Sequence, residues 1–251
     1  MKVLFIALTI SILITVYPVS ILALDSDDDP NQKLRRWTVS AYLGSASSGP
    51  AKDLENAMKA TGFDHRYEWY WGGAGPFYGA TYPNSNTRTA LYRLPWILRI
   101  HYLLKPRFGV GLVYSNTEIG ATAGYNEKTG RFDVEYSVNT FSPVVSVQVT
   151  GFQFGVGPAL YMANSIGKRL TLGESLGEKK TRKLGFLIDL GFAFPPEKTR
   201  FFLEIKIQYR AVGQVEVGPY EIRATEDLVI FPTNKVNYNH WFLGAGMGIR
   251  F

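Results

Sequence analysis

The chain has 251 residues, of which 46% are hydrophobic and 14% aromatic, and its formal net charge is +6. This composition excludes a disordered chain and suits one domain or two small ones. Because there is no cysteine and there are only three histidines, the sequence excludes disulfides and thiolate chemistry and argues against a multi-histidine metal site. The charges are scattered, so we expect no nucleic-acid partner, and we expect no cofactor and no metal.

The N-terminus has the layout of a secretory signal peptide. A single lysine is followed by an apolar run, and Pro18 precedes Ala23, a small residue suited to cleavage. The acidic stretch at 25–29 follows at once and favours cleavage over retention as a membrane anchor. We therefore predict a signal peptide at 1–23, an acidic N-terminal segment at 24–35, and export of the mature chain.

Beyond residue 35, apolar residues alternate with small or polar ones, which indicates β-strands. The clearest strands are 184–194, 201–210 and 241–251, and each has the length that a tilted strand needs to cross a bilayer. Five more are predicted around residues 37–43, 92–102, 108–114, 132–149 and 152–160. In the strand at 132–149 the apolar positions change phase, which predicts a β-bulge near Thr140.

The size of the interior decides which face of these strands points inward. An eight-stranded barrel has an interior that side chains just fill, and the large apolar residues of every strand would overfill it. The opposite faces carry small residues and complementary charges, so we predict that they line the lumen and that the apolar belt faces lipid. The predicted lumen charges are Arg99, Asp189, Glu204, Lys206 and Arg210. We expect them to neutralise one another; lining a narrow ion path is the alternative.

The predicted connections alternate between short and long, as outer-membrane barrels show. Tight turns are predicted at 104–106, 150–151 and 195–198, and long connections at 45–89, 116–131, 163–182 and 211–239. We assign the short turns to the periplasmic end and the long loops to the extracellular end. Aromatic residues near the strand ends predict interfacial girdles, for example Trp37, Tyr102, Tyr114, Tyr209 and Trp241.

The closing strand, Trp241–Phe251, alternates apolar residues with small ones and ends on an aromatic residue. In this strand and in its architecture, residues 36–251 resemble the small outer-membrane β-barrels of the OmpA/OmpX type. The resemblance implies an all-β, eight-stranded antiparallel transmembrane β-barrel in the bacterial outer membrane, surrounded by outer-membrane lipid and lipopolysaccharide. It also implies that the barrel-assembly machinery reads Phe251 as an assembly signal. It implies no particular activity.

The first long connection holds two features. Residues 50–62 predict a short helix that begins with a proline and ends at Gly62, and we prefer a lid on the barrel rim to a partner-docking helix. An aromatic cluster follows and is our candidate recognition surface, although it could equally anchor the loop among lipopolysaccharide headgroups. The cluster consists of Tyr67, Trp69, Tyr70, Trp71, Phe77 and Tyr78.

Little in the sequence points to catalysis, and we predict no catalytic residue. His240 is expected at the outer rim, but Phe242 occupies the position where outer-membrane lipid deacylases have the serine of a His-x-Ser arrangement. His101 is expected to face the lumen and to pair with a carboxylate. The glycines at 244, 246 and 248 lie inside a strand, so we expect them to relieve crowding in the lumen rather than to bind phosphate.

The sequence therefore predicts a structural or surface-interaction role, carried by extracellular loops and an unknown extracellular partner. A small pore or ligand conduit is the first alternative, because charges in the lumen can line an ion path. An envelope-lipid hydrolase or acyltransferase is the second alternative, and it would require His240 to meet a serine and a carboxylate across the loops.

Overall fold

The computed structural model describes residues 36–47, 49–63, 70–71, 95–126, 129–169, 174–195, 199–224 and 227–251. The predicted signal peptide and acidic segment lie outside the described residues. In chain order the described elements are β1 (Trp37–Ala46), α1 (Ala51–Ala60), β2 (Tyr70–Trp71), β3 (Trp96–Lys105), β4 (Phe108–Asn126), β5 (Gly130–Val149), β6 (Phe152–Arg169), β7 (Glu174–Phe194), β8 (Phe201–Ala211), β9 (Gln214–Val217), β10 (Tyr220–Ala224), β11 (Asp227–Phe231), β12 (Asn234–Asn237) and β13 (His240–Arg250). Within these ranges, no helix is long and apolar enough to cross a membrane.

Eight strands form a closed antiparallel barrel, as the sequence predicts. Their order around the barrel is β1, β3, β4, β5, β6, β7, β8 and β13, and β13 pairs with β1 to close the ring. β3 begins at Trp96, and the two apolar positions predicted before it, 92 and 94, lie outside the described residues. β2 pairs with β4 at Gly120 and Ala121, where β4 has extended beyond its last pair with β3.

Four neighbouring strands are longer than the sequence predicts. β4, β5, β6 and β7 have 19, 20, 18 and 21 residues. The connections predicted at 116–131 and 163–182 are therefore wrong for most of their length, because these residues continue the strands. On β5, beside these extensions, the apolar residues Phe132, Val134 and Tyr136 point inward, so the pattern that marks the lipid-facing strands is inverted there.

The bulge predicted near Thr140 is also wrong. β5 and β6 keep one register from Asp133↔Lys168 to Val149↔Phe152, and the even-numbered residues of β5 face inward throughout. The change at Thr140 is chemical, because the inward residues are Phe132, Val134, Tyr136 and Val138 on one side of it and Ser142, Val144 and Ser146 on the other. A register shift occurs in β4 instead, between Glu118 and Gly120.

The connection predicted at 211–239 forms two antiparallel two-stranded sheets, β9 with β12 and β10 with β11. These sheets and α1 share a buried apolar core with the extended parts of β4–β7, and we define this assembly as the cap. Its core contains Leu54, Met58, Phe63, Phe132, Val134, Tyr136, Val217, Tyr220, Ile222, Phe231 and Tyr238. The cap is a small globular unit with an apolar interior, built on one end of the barrel.

The predicted helix is confirmed as α1. It ends shortly before Gly62, whose φ of +81° takes the left-handed conformation that glycine tolerates. Leu54 and Met58 are buried in the cap core. The Asp53 carboxylate accepts the backbone N–H of Asn237 at 2.9 Å, which ties the helix to β12. These contacts agree with the expectation of a lid.

Candidate functional site

The outer wall of the barrel carries a continuous belt of exposed apolar side chains. We define the belt as the outward residues of 37–43, 98–104, 108–114, 141–147, 152–160, 184–194, 201–209 and 241–251. Leu184 is 83% exposed and Met247 is 69% exposed. Ten residue steps along β13 correspond to about 33 Å of strand, or about 25 Å of height at a tilt of about 40°. This height matches the apolar band of outer-membrane barrels.

Aromatic pairs mark both edges of the belt. At the edge opposite the cap, the rings of Trp37 and Tyr102 are 4.8 Å apart. At the edge next to the cap, Tyr209 lies 4.7 Å from Trp241, and Tyr114 packs against the ring of Trp96. These positions are the predicted girdle positions, and amphipathic rings favour the boundary between lipid and water.

Inside the belt, the structure brings four of the five predicted lumen charges together. The Lys206 Nζ atom lies 2.6 Å from Glu204 Oε1 and 3.2 Å from Asp189 Oδ2. Arg99 Nη1 lies 3.7 Å from Glu204 Oε1 and 4.0 Å from Asp189 Oδ2. The Tyr42 hydroxyl donates to Glu204 Oε2 at 2.6 Å. Two buried cations thus face two buried carboxylates, which limits the cost of removing each charge from water.

Arg210 lies apart from this four-charge cluster. Its guanidinium donates to the Gln208 amide oxygen at 2.9 Å and to the Thr117 hydroxyl, and it lies 3.4 Å from His240 Nε2. The other ring nitrogen of His240 lies 2.8 Å from the Tyr238 carbonyl oxygen, which only an N–H can satisfy. Nε2 is therefore the acceptor, and His240 helps neutral groups to solvate the Arg210 charge.

Glycines on β13 make room for aromatic rings in the lumen, as the sequence analysis expected. A Cβ atom at Gly246 would lie 2.6 Å from Tyr42 Cδ1, and one at Gly248 would overlap the Phe202 ring. The ring of Tyr42 also lies 4.9 Å from the Lys206 ammonium. The lumen at this level is filled by side chains.

The two histidines that the structure describes are both buried. His101 Nε2 lies 2.7 Å from the Ser146 hydroxyl rather than from a carboxylate, and Gln153 donates to the same hydroxyl at 3.2 Å. This Ser–His contact stands inside the filled lumen, and His240 has both ring nitrogens engaged. Among the described residues, no three His, Asp or Glu side chains are close enough to share a metal ion.

The predicted recognition surface is described only in part. Tyr67, Trp69, Phe77 and Tyr78 lie outside the described residues, while Tyr70 and Trp71 form β2 beside β4. Phe251, the predicted assembly signal, is exposed at the seam of the barrel, and its backbone N–H donates to the Trp37 carbonyl at 2.8 Å.

The cap is the feature that the sequence analysis missed. Its outer wall is polar: Lys168 pairs with Glu135 at 2.6 Å, and Arg131 pairs with Asp133 at 3.0 Å. Burial raises the pKa of Asp133 to about 6, although the charge of Arg131 opposes this shift. The missed signal was the inverted alternation of residues 132–138, in which the apolar positions have the parity of the lumen.

No protein-family model and no curated protein matches the chain. The solved structures to which the chain is similar include Ail, the attachment invasion locus protein of Yersinia pestis (11% identity, TM-score 0.40, 86% of this chain and 100% of that chain); Neisserial surface protein A (13%, 0.40, 86% and 96%); and the outer membrane protein AlkL in DMPC lipid bilayers (13%, 0.42, 88% and 92%). The chain's own strand number, antiparallel pairing and closure establish the small-barrel architecture that the sequence analysis predicted.

Proposed function

We propose that the protein is an integral outer-membrane barrel with a closed lumen, and that its structural or surface-interaction role is carried by the cap. The observation that carries this proposal is the apolar belt outside a lumen of paired charges. In water this arrangement would expose the belt while burying the charges, whereas a bilayer covers the belt and the closed sheet satisfies every backbone group.

The two ends of the barrel support an orientation with the cap outside the cell. The end opposite the cap has the short β3–β4 and β5–β6 turns. It also has the start of β1 and the end of β13, the two strands that pair to close the barrel. The other end carries α1 and the five described strands that are not part of the barrel, β2 and β9–β12. Short periplasmic turns and large extracellular structures are typical of outer-membrane barrels. In this orientation Phe251 lies at the periplasmic end, where we propose that the barrel-assembly machinery binds it.

The packing of the lumen supports a closed barrel rather than a pore. The four-charge cluster leaves its charged atoms in contact with one another, and α1 packs with the cap core above it. The test is the conductance of the refolded mature chain, residues 24–251, in a planar bilayer. We expect insertion, verified by protection of the belt strands from protease, without discrete openings. Stable openings would favour the pore.

A positive control is needed to interpret an absence of conductance. In a Tyr42→Ala/Phe202→Ala variant, two aromatic rings that fill the lumen are removed. If this variant inserts, we expect it to conduct, because its lumen can admit water. The same recording conditions would then detect a pore in the unmodified protein.

We also propose that the protein is not an enzyme. The burial of His240 and of the Ser146–His101 pair supports this, because a lipid ester could reach neither group without unfolding the lumen. The refolded protein and a His240→Ala variant should release equally little fatty acid from lipid A vesicles. Release by the unmodified protein that is lost in the variant would show that His240 is catalytic.

A further inference from the structure

β7 carries basic residues immediately beyond the belt. Leu184 is the last outward belt residue of this strand, and Arg182 and Lys180 follow on the same face toward the cap. Successive outward residues of a strand are about 7 Å apart. The Arg182 guanidinium therefore stands one pleat beyond the lipid-facing apolar surface, and Lys180 stands two pleats beyond it. Lys183, which lies between Arg182 and Leu184 in the chain, is exposed but has the parity of the inward face, because it pairs with the inward residue Tyr161; it is not part of this outward surface.

The other strands differ from β7 at this level. On each of them whose next outward residue after the belt is described, that residue is uncharged. These residues are Ser45, Trp96, Asn116, Asn139, Met162, Ala211 and Asn239. Basic charge at the cap edge of the belt is thus confined, in the described part of the barrel, to one strand. A general excess of surface lysine would not give this distribution.

The charge on this part of β7 is only partly balanced. Lys180 pairs with Glu178 at 3.0 Å, and this contact lowers the pKa of the Glu178 carboxyl. No carboxylate in the described ranges lies within ion-pair distance of Arg182 or Lys183. Two cations, Lys180 and Arg182, therefore face one anion, Glu178, on a surface that adjoins the lipid belt. An anionic group of suitable geometry would complete this surface.

We propose that Lys180 and Arg182 bind the phosphate groups of a phosphorylated glycolipid in the leaflet that surrounds the barrel. The proposal rests on the proposed membrane location, because the belt fixes the depth of these residues. One amphiphile satisfies both neighbouring surfaces, with acyl chains against Leu184 and Phe186 and phosphate at Arg182. The guanidinium matches phosphate through two parallel hydrogen bonds, and basic residues at this depth attract anionic lipids.

A matched pair of double variants tests the proposal. Lys180→Gln/Arg182→Gln removes two cations from β7, and Arg223→Gln/Lys235→Gln removes two from β10 and β12, on the cap. Each pair contains one lysine and one arginine, and each includes one cation paired with a carboxylate two residues away, Lys180 with Glu178 at 3.0 Å and Arg223 with Glu221 at 3.1 Å. The two variants thus lose the same charge from different places.

The proteins are refolded into phosphatidylcholine vesicles that contain a trace of spin-labelled lipid A, either bis-phosphorylated or dephosphorylated. The measured quantity is the association constant of each lipid relative to phosphatidylcholine. We expect the unmodified protein to prefer the phosphorylated lipid, and the β7 variant to lose about tenfold or more of this preference, since each basic residue contributes about 1 kcal/mol. The cap variant should stay within about twofold.

Four outcomes would overturn the proposal. The first two are an equal loss of the preference for phosphorylated lipid A in both variants, and equal binding of the two lipid A forms by the unmodified protein. The third is retention of the preference by the β7 variant. The fourth is abolition of the preference by millimolar inorganic phosphate, which would indicate a site for a soluble anion. Each presupposes that the protein has inserted. Failure to insert in any of these vesicles would contradict the proposed membrane location itself, so the two failures are distinguishable.

Discussion

The belt and the cap are built from the same strands with opposite polarity. In β5, the outward residues of the belt are Phe141, Val145 and Val147, and the corresponding inward residues are Ser142, Val144 and Ser146. In the cap part of β5 the inward residues are Phe132, Val134, Tyr136 and Val138, while Asp133 and Glu135 lie on the outer face. Register and pleat are continuous across the boundary at Thr140.

The proposed membrane location explains this comparison, because the medium outside the sheet then decides which face is apolar. Where lipid surrounds the barrel, the belt meets it and the charges pair inside; where water surrounds the strands, the apolar residues form a core as in a soluble protein. Arg210 lies near the transition, where neutral groups and the ring of Phe242, 5.5 Å from its guanidinium, surround it. It marks the cap end of the polar lumen.

The largest difference between the two regions should appear when one ion pair is broken in each. Asp189→Asn leaves Lys206 and Arg99 with one carboxylate between them at fully buried positions, and we expect a loss of about 3–5 kcal/mol in the free energy of unfolding. Glu135→Gln breaks the partly exposed pair with Lys168 and should cost about 1 kcal/mol or less. Denaturant unfolding of the refolded proteins in lipid vesicles measures both.

The double variant Asp189→Asn/Lys206→Met tests whether unpaired charge causes the loss. It restores the balance of cations and anions in the lumen, so it should recover a large part of the lost stability. If the single Asp189→Asn change costs no more than Glu135→Gln, the lumen is hydrated rather than dry. That result would also favour the pore.

A charge on the outer face should distinguish the belt from the cap. Ile205 is outward and central on β8, and Ile205→Arg should cost about 2–4 kcal/mol because the guanidinium enters the middle of the lipid. Ser137 is outward on the cap part of β5, where the same substitution meets water and should change stability by less than about 0.5 kcal/mol. Unfolding in vesicles measures the difference, and equal effects would contradict the proposed limits of the belt.

Much of the barrel could be predicted from the sequence because the belt imposes a strict pattern. Ile205, Leu203 and their neighbours must be apolar to meet lipid, while Glu204 and Lys206 between them must find partners inside. This pattern yields the strand number, the inward face and the residues of the four-charge cluster. It does not yield which charges meet, because the contacts of Arg99 with Asp189 and Glu204 depend on the register of strands far apart in the chain.

The cap could not be predicted in the same way. Some of its apolar residues, such as Tyr220, lie in the segment 211–239 that was predicted as a connection, while Phe132 lies on a predicted strand whose apolar face was expected to meet lipid. Their burial depends on packing between β5 and β10, and β10 begins 71 residues after β5 ends. The phase change at Thr140 was visible in the sequence, but it resulted from a change of solvent and not from a bulge.

Two glycines test whether the lumen is as tightly packed as a soluble core. A Cβ atom at Gly246 would lie 2.6 Å from Tyr42 Cδ1 and 2.8 Å from Tyr42 Cα, so Gly246→Ala should cost about 1–3 kcal/mol. Gly155 also faces the lumen, but the nearest atoms to its added Cβ are 3.5 Å away. Gly155→Ala should therefore be nearly neutral in the same unfolding assay. Equal tolerance at both positions would indicate a loosely packed lumen.

An effect of similar size, but dependent on pH, concerns Asp133 in the cap, whose pKa is raised from 3.8 to about 6 chiefly by burial. A folded-state pKa above the unfolded value means that the folded protein binds the proton more tightly. The contribution of Asp133 to stability should therefore be greatest below about pH 4 and fall by about 1–3 kcal/mol as the pH rises to about 6. Asp133→Asn should remove this slope in denaturant titrations at each pH. A stability that instead rises through this window, and loses the rise in the variant, would show that the Arg131 ion pair outweighs burial at the outer face of the cap.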